Sequence, residues 1–362
     1  MKVLFDHQTF SKQRYGGISR YFANVYHTMQ NSEGFQANIS AFCTQNYYVK
    51  EINTAFSRFL GSTLLKKEKR NYKWNRRYSE YVISKNDFDV FHPTYFDPYF
   101  LPHLKKPFVL TVHDMIYEIF PEYFPPQDPL PYHKRLLMEK AEKIIAISET
   151  TKNDILKYSD VKENKIEVIY HGIDLKPMNY EDVANLPNEY ILFVGDRTLY
   201  KNFHIVAEAF REIVIEKPNL RLVLVGGGSI KYGDSEFLRR NKILDKTIQI
   251  SATDEQLNTI YKNAVCFIYP SLYEGFGLPI LEAFKNNCPV LLSNCSCFEE
   301  IAGDAAQYFE ARSHQSLINK INQIIEDAAL KREMVELGNK KLIEYPLDKC
   351  ISETISMYNN LI

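Results

Sequence analysis

The chain has 362 residues, 45% of them apolar and 25% charged, with a formal net charge of -1. That length suits two globular domains, and that composition excludes a disordered or fibrous chain. The near-neutral charge excludes a global pull toward nucleic acid, so any basic partner surface has to be local.

No stretch approaches the roughly 18 consecutive apolar residues of a membrane-spanning helix. The N-terminus, MKVLFDHQTF, lacks the long apolar region of a secretory signal. The six cysteines are scattered, and the close pair Cys295 and Cys297 has no second pair at zinc-ligand spacing. Free thiols in a cytoplasmic protein are the expectation.

Short β-branched and aromatic runs alternate with longer helical patterns, which is how βαβ units with a mainly parallel sheet read. The first strand is Lys2 to Phe5. After it, RYGGISRYF places Gly16 and Gly17 where the absence of side chains allows close approach to a phosphate. A glycine pair alone is equally a turn. The run Lys66 to Arg77, KKEKRNYKWNRR, interleaves Tyr72 and Trp74 with seven cations. It reads either as a face for an anionic membrane or charged acceptor, or as a solvated helix face.

Strands at Val90 to His92, Phe108 to Val112 and Lys143 to Ile147 follow. TVHD ends the second of these and sets His113 at the strand's end. Asp114 either orients that imidazole or caps the next turn. His92 and His171 read as loop-shaping. The segment Leu175 to Asn188 carries prolines and no strand periodicity, so the linker falls there. The expected domains are 1–175 and 186–345.

The second set of strands is Tyr190 to Val194, Arg221 to Val225, Ile248 to Ile250, Val265 to Tyr269 and Pro289 to Leu292. VGDRTLYKNF turns at Gly195 and enters a helix near Lys201. Arg197 and Lys201, four apart, would converge on one site if that turn is helical. Arg offers a planar fork to phosphate and Lys a mobile point charge. Gly226 to Gly228 begins like a dinucleotide fingerprint, but Lys231 holds the third glycine position and disfavours hydride chemistry.

The most informative stretch is Ser271 to Phe284, SLYEGFGLPILEAF. Pro279 is pre-set for a first helical turn, and Gly275, Phe276, Gly277 and Leu278 bring backbone N–H groups to its positive end. Such a contact is worth only ~0.3–1 kcal/mol when exposed, so a diphosphate needs cationic side chains as well. Glu274 and Glu282 flank the turn, and carboxylates are good acceptors for paired hydroxyls. Taken singly, Glu274 would cap a helix and Glu282 solvate its face. No HExxH, EF-hand or paired-cysteine motif and no Asp-x-Asp to hold a metal-nucleotide stands out, so no metal is expected.

The segment E-G-F-G-L-P-x-L-E, Glu274 to Glu282, resembles the E-x7-E signature of retaining glycosyltransferases with the GT-B fold, particularly family four. The resemblance implies an α/β protein of two Rossmann-like doubly wound domains facing across a cleft. It also implies that domain 1–175 is the acceptor side and 186–345 binds the nucleotide sugar, with a C-terminal helix, about 346–362, that returns to the first domain. It assigns Glu274 to donor-sugar hydroxyls, Glu282 to the nucleotide ribose, and the amides of Gly275, Phe276, Gly277 and Leu278 to the diphosphate. Arg197 and Lys201 would neutralise the leaving diphosphate in place of a metal, Gly16 and Gly17 would face the phosphates, and His113 would sit at the donor sugar.

The implied reaction is metal-independent, cofactor-free transfer with retention from a nucleotide-diphosphate sugar to a glycan or lipid-linked acceptor. No nucleic acid is involved. GDR-x3-KNF resembles bacterial surface-polysaccharide enzymes that use GDP-linked sugars, which points to mannose. The membrane reading of Lys66 to Arg77 would add a peripheral contact at the inner membrane face. Two alternatives stand: a nucleotide-sugar epimerase on the same fold, and an inactive nucleotide-sugar-binding partner.

Overall fold

A computed structural model describes residues 1–52, 54–56, 61, 65, 67–197 and 199–361. The chain forms two compact units, Met1–His171 with Asp348–Ile362, and Gly172–Leu347. The stretch 175–188, expected as a linker, thus lies within the second unit.

In the first unit, β1 (Lys2–Phe5) pairs in parallel with β2 (Gln36–Ile39) on one side and β3 (Val90–His92) on the other. β4 (Val109–Val112), β5 (Lys143–Ala146) and β6 (Ile166–Val168) form a second parallel set. A parallel bridge from Phe91 to Phe108 links β3 to the segment entering β4. β3 and β4 are buried along their whole length, as expected of strands covered on both faces. The helices are α1 (Gln8–Lys12), α2 (Gly17–Gln30), α3 (Glu68–Ser84), α4 (Ile116–Ile119), α5 (Leu130–Lys140) and α6 (Glu149–Tyr158). Leu4, Phe91, Phe100, Leu110, Leu137 and Ile144 are among the residues of one continuous apolar core.

The second unit contains β7 (Tyr190–Val194), α7 (Phe203–Glu216), β8 (Arg221–Val225), α8 (Tyr232–Arg240), β9 (Thr247–Ile250) and α9 (Asp254–Asn263). It continues with β10 (Cys266–Tyr269), α10 (Leu278–Lys285), β11 (Val290–Ser293), α11 (Ser296–Ala302), β12 (Gln307–Phe309), α12 (His314–Glu326) and α13 (Ala328–Leu342). All six strands are parallel, in the order β12-β11-β10-β7-β8-β9. That is the Rossmann order, in which the strand order reverses between β7 and β10. Ligands bind such sheets at the carboxyl ends of the strands flanking that reversal. The loops leaving β7 and β10 carry Lys201 and Glu274.

The last helix, α14 (Leu347–Asn359), belongs from Asp348 onward to the first unit. Cys350, Ile351 and Met357 are buried there, and the Tyr358 hydroxyl lies 2.6 Å from His92 Nδ1. Three strands escaped the sequence reading: β2, β6 and β12. Each lies at a sheet edge and is only partly buried, so it carries too few apolar residues to announce itself.

Candidate active site

β7 ends at a glycine turn, and Gly195, with φ +136°, donates its N–H to Val225 O at 2.9 Å. A short 3-10 turn over Leu199–Lys201 follows. Asn202 then takes the left-handed conformation, φ +55°, immediately before α7. Its amide Nδ2 donates to Pro270 O at 3.1 Å and to Ala311 O at 2.7 Å. One asparagine therefore ties the β7 turn to the loops after β10 and β12. Leu272 N reinforces the tie by donating to Tyr200 O at 2.8 Å.

The consequence is a short ion pair. Lys201 Nζ donates to Glu274 Oε1 at 2.5 Å, and the two side chains are 17% and 14% exposed. Ser271 Oγ donates to the same carboxylate oxygen at 2.7 Å. Lys201 Nζ also lies 5.3 Å from the ring centre of Tyr200 and 5.7 Å from that of Tyr269. Burial disfavours the charged ammonium, but Glu274, with Tyr200 and Asp196, outweighs it and pushes the pKa up to about 12. Burial, reinforced by Glu274, raises the Tyr269 phenol well above its ordinary value.

From Glu274 the chain enters the Gly275–Gly277 turn. Gly277 precedes α10 with φ +104° and no side-chain cap, and Pro279 lies in the first turn of that helix. A Cβ at Gly277 would sit 2.9 Å from Ile280 Cδ1, so that position requires glycine for space as well as for backbone angle. The loop is further fixed by Ser293 Oγ donating to Ser271 O at 2.5 Å and by Cys297 Sγ reaching Phe276 O at 3.0 Å. Phe276 is buried edge-on against Tyr345. Leu278 is the first residue of α10. Glu282, one helical turn on, accepts from the Tyr261 hydroxyl at 3.4 Å. Glu274 is thus held by side chains instead of capping a helix.

Arg197 and Lys201 do not share partners. The helix begins only at Phe203, so the helical spacing that would align them does not apply. Arg197 Nε donates to Asp234 Oδ2 at 2.9 Å, and its Nη2 lies 3.2 Å from both Gly228 O and Ser229 O. Its side chain is 3% exposed. Gly226, Gly227 and Gly228 all have positive φ, and their carbonyls line this guanidinium. The triple glycine set aside in the sequence therefore shapes the arginine's seat. A Cβ at Gly227 would lie 2.9 Å from Asp196 Cα and from Gly195 O.

In the first unit, Gly16 precedes α2 and Gly17 is its first residue. Gln13 Oε1 accepts from Ser19 N at 3.2 Å, and a Cβ on Gly16 would come within 2.5 Å of that oxygen. His113 follows β4 and is buried, its ring stacked 5.6 Å from His171 and edge-on to Tyr21. Burial, with His92 and Lys134 nearby, lowers its pKa to about 3, so it is neutral at physiological pH. Its Nε2 is buried with no hydrogen-bond partner among the described residues. Asp114 Oδ1 accepts from Ile116 N at 3.1 Å, which settles its open reading as a cap for the next turn.

Ser271, Asn202, Asp234 and Tyr261 were not singled out in the sequence. Asn202 and Ser271 lie inside motifs already quoted, whereas Asp234 and Tyr261 carry no local signal at all. Contrary to the expectation of no Asp-x-Asp, the chain contains the triplet Asp87-Phe88-Asp89. Both carboxylates serve the start of β1 instead: Asp87 pairs with Lys2 Nζ at 2.6 Å, and Asp89 accepts from Lys2 N at 2.8 Å.

The basic segment forms the first half of α3, with Lys66 outside the described residues. Arg70, Lys73, Trp74 and Arg77 are exposed on it, and Phe42 stacks 5.7 Å from Trp74. Among the described residues no helix is long and apolar enough to cross a membrane. The six cysteines are all buried.

The sequence profile of Glycosyl transferases group 1 matches residues 181–341, and that of Glycosyltransferase Family 4 matches residues 15–177. O-antigen chain mannosyltransferase B of Escherichia coli is 25% identical over 279 residues, covering 73% of each chain. O-antigen chain mannosyltransferase RfbU of Salmonella typhimurium is 27% identical over 59% of this chain, and the match spans only 61% of its own length. Sucrose-phosphate synthase from Thermosynechococcus elongatus shares the fold over 100% of this chain and 99% of its own, with TM-score 0.79 and 17% identity. Anabaena HepE in complex with UDP-glucose aligns over 99% of this chain and 100% of its own, with TM-score 0.74 and 18% identity.

Proposed function

The chain belongs to the group 1, family 4 glycosyltransferases, and we propose that it transfers mannose from a GDP-linked donor to a glycan or lipid-linked acceptor, with retention. The mannosyl and glycan elements follow the printed names of the relatives above. The observation that carries the reading is the Lys201–Glu274 pair, set where the Rossmann sheet reverses its strand order and beside the amides heading α10.

In this reading the donor diphosphate rests on the Gly275, Phe276, Gly277 and Leu278 turn. Lys201 stays charged throughout the neutral range and stabilises the leaving phosphate as negative charge builds on it. Arg197 adds a second cation once it leaves Asp234. Glu274 accepts from sugar hydroxyls, Glu282 from the ribose, and the unpartnered Nε2 of His113 supports a role at the sugar. The leaving phosphate takes the acceptor proton on the face it departs from. No metal enters this scheme, so transfer should survive a chelator.

The test is transfer of radiolabelled mannose from GDP-mannose to lipid-linked oligosaccharide, with and without EDTA. A parallel thermal-unfolding screen of GDP-mannose, UDP-glucose and UDP-N-acetylglucosamine identifies the donor, because a ligand raises apparent stability by mass action. No stabilisation by any nucleotide sugar and no transfer would sink the reading. The proposal extends to the exposed basic face of α3 as a peripheral contact with an anionic bilayer. Sedimentation with vesicles containing phosphatidylglycerol, equal for the parent and for Arg70→Gln with Lys73→Gln and Arg77→Gln, would rule that out.

A further inference from the structure

Glu274 has two partners in the proposed reaction, the Lys201 ammonium and the hydroxyls of the donor sugar. The arriving diphosphate competes for the first of these. It draws the ammonium toward itself and repels the neighbouring carboxylate. A carboxylate held by its lysine alone would shift as the donor arrives. The site therefore requires a second hold on Glu274, one that is uncharged and that the phosphate does not compete for.

Ser271 supplies it. Its Oγ donates to Glu274 Oε1 at 2.7 Å, the same oxygen that Lys201 Nζ reaches at 2.5 Å. The serine is fully buried, whereas the lysine and glutamate side chains keep some exposure. A serine entering a turn commonly bonds a nearby backbone group. This one donates to a side chain, and hydrogen bonds to an ionised acceptor are roughly twice as strong as neutral ones.

The hydroxyl is itself a fixed point, because the backbone around it is bonded to three different segments. Pro270 O accepts from Asn202 Nδ2 at 3.1 Å, Ser271 O accepts from Ser293 Oγ at 2.5 Å, and Leu272 N donates to Tyr200 O at 2.8 Å. Ser293 is the buried last residue of β11, so the carboxylate is anchored to the sheet through two hydroxyls in series. Groups locked in this way hold their geometry when charge moves beside them.

We propose that Ser271 is the positioning residue for Glu274, keeping the carboxylate aimed at the donor sugar while Lys201 turns to the phosphate. The role of Glu274 at the sugar rests on the transferase reading; the hold of Ser271 on the Lys201–Glu274 pair stands on the geometry. The test compares calorimetric affinities for GDP with GDP-mannose, for UDP with UDP-glucose, and for UDP with UDP-N-acetylglucosamine, on the parent, Ser271→Ala and Ser271→Thr. Ser271→Ala should bind the nucleotide sugar about tenfold more weakly, a change of about 1.4 kcal/mol, with the affinity for the bare nucleotide unchanged. Ser271→Thr, which keeps the hydroxyl, should restore the sugar's contribution. Damage to the fold alone would lower both affinities together. Without any nucleotide, the nitrogen–proton NMR correlation of the Lys201 ammonium, assigned by its loss in Lys201→Arg, should broaden in Ser271→Ala and persist in Ser271→Thr.

A Lys201 signal indifferent to Ser271→Ala overturns the proposal, and so does a nucleotide-sugar affinity that falls no further than that of the nucleotide. A Lys201 signal that depends on Ser271, in a parent that binds none of these nucleotides or nucleotide sugars, supports the hold on the pair while removing Glu274 from the donor sugar. Should Ser271→Ala not fold, Ser293→Ala, which loosens the same hydroxyl from one bond further away, decides by the same split.

Discussion

The glycine turn between α1 and α2 and the glycine turn after β7 each lead into a helix, yet they are held by different means. The first is tied to nearby chain: Gln13 Oε1 accepts from Ser19 N, and the carbonyls of Gln13 and Arg14 accept from Asn46 Nδ2 and Tyr47 N. The second is stitched outward by Asn202 and Leu272 to segments about seventy and more residues away, and its lysine ends on Glu274. A turn tied to neighbouring chain can shape a surface. A turn tied to two other loops can set a cation against a carboxylate within hydrogen-bond distance.

That contrast is broken most sharply by Lys201→Ala. Loss of one preorganised donor to a developing anion typically lowers turnover ~10²–10³-fold, and that is the expected fall in kcat at saturating donor. A fall smaller than threefold would detach Lys201 from the reaction. Asn202→Gly keeps the left-handed backbone but deletes both stitches. At about 1 kcal/mol per hydrogen bond, the second unit should lose ~1–3 kcal/mol, read from urea unfolding, with turnover falling alongside. Stability and turnover equal to the parent would make the stitching incidental.

A third test separates the units by pH. In the first unit, burial lowers the pKa of His7, His92 and His113 to about 3 and that of His171 well below its ordinary value. Between about 3 and 6.5 the unfolded chain binds protons that the folded chain refuses. Stability from these groups is therefore complete above 6.5 and drains away as pH falls. Lys201 in the second unit behaves oppositely: its pairing contributes fully below 10.5 and is lost as pH rises through about 12. Trp74, the chain's single tryptophan, reports on the first unit. Its urea midpoint should be lower at pH 5 than at pH 7.5, and an unchanged midpoint would refute the burial of neutral histidines.

Much of this was legible in the residues. The central strands β1, β3, β4, β7, β8 and β10 announce themselves as apolar runs because both of their faces are covered. The edge strands β2, β6 and β12 do not, because half their surface meets solvent and polar residues serve there. At the site, the glycines, Pro279 and the Glu274 to Glu282 spacing are local properties of backbone angle and helix geometry, which a sequence displays directly.

The sequence by itself determined that a glycine turn heads the Pro279 helix and that Arg197 and Lys201 follow the β7 glycine. Only the tertiary structure decided which partner each cation takes: Glu274 for Lys201, 73 residues away, and Asp234 for Arg197, 37 residues away. The reason is physical. Periodicity and turn chemistry act over a few residues, whereas these ion pairs depend on the register of neighbouring parallel strands, and that register follows from packing the whole core.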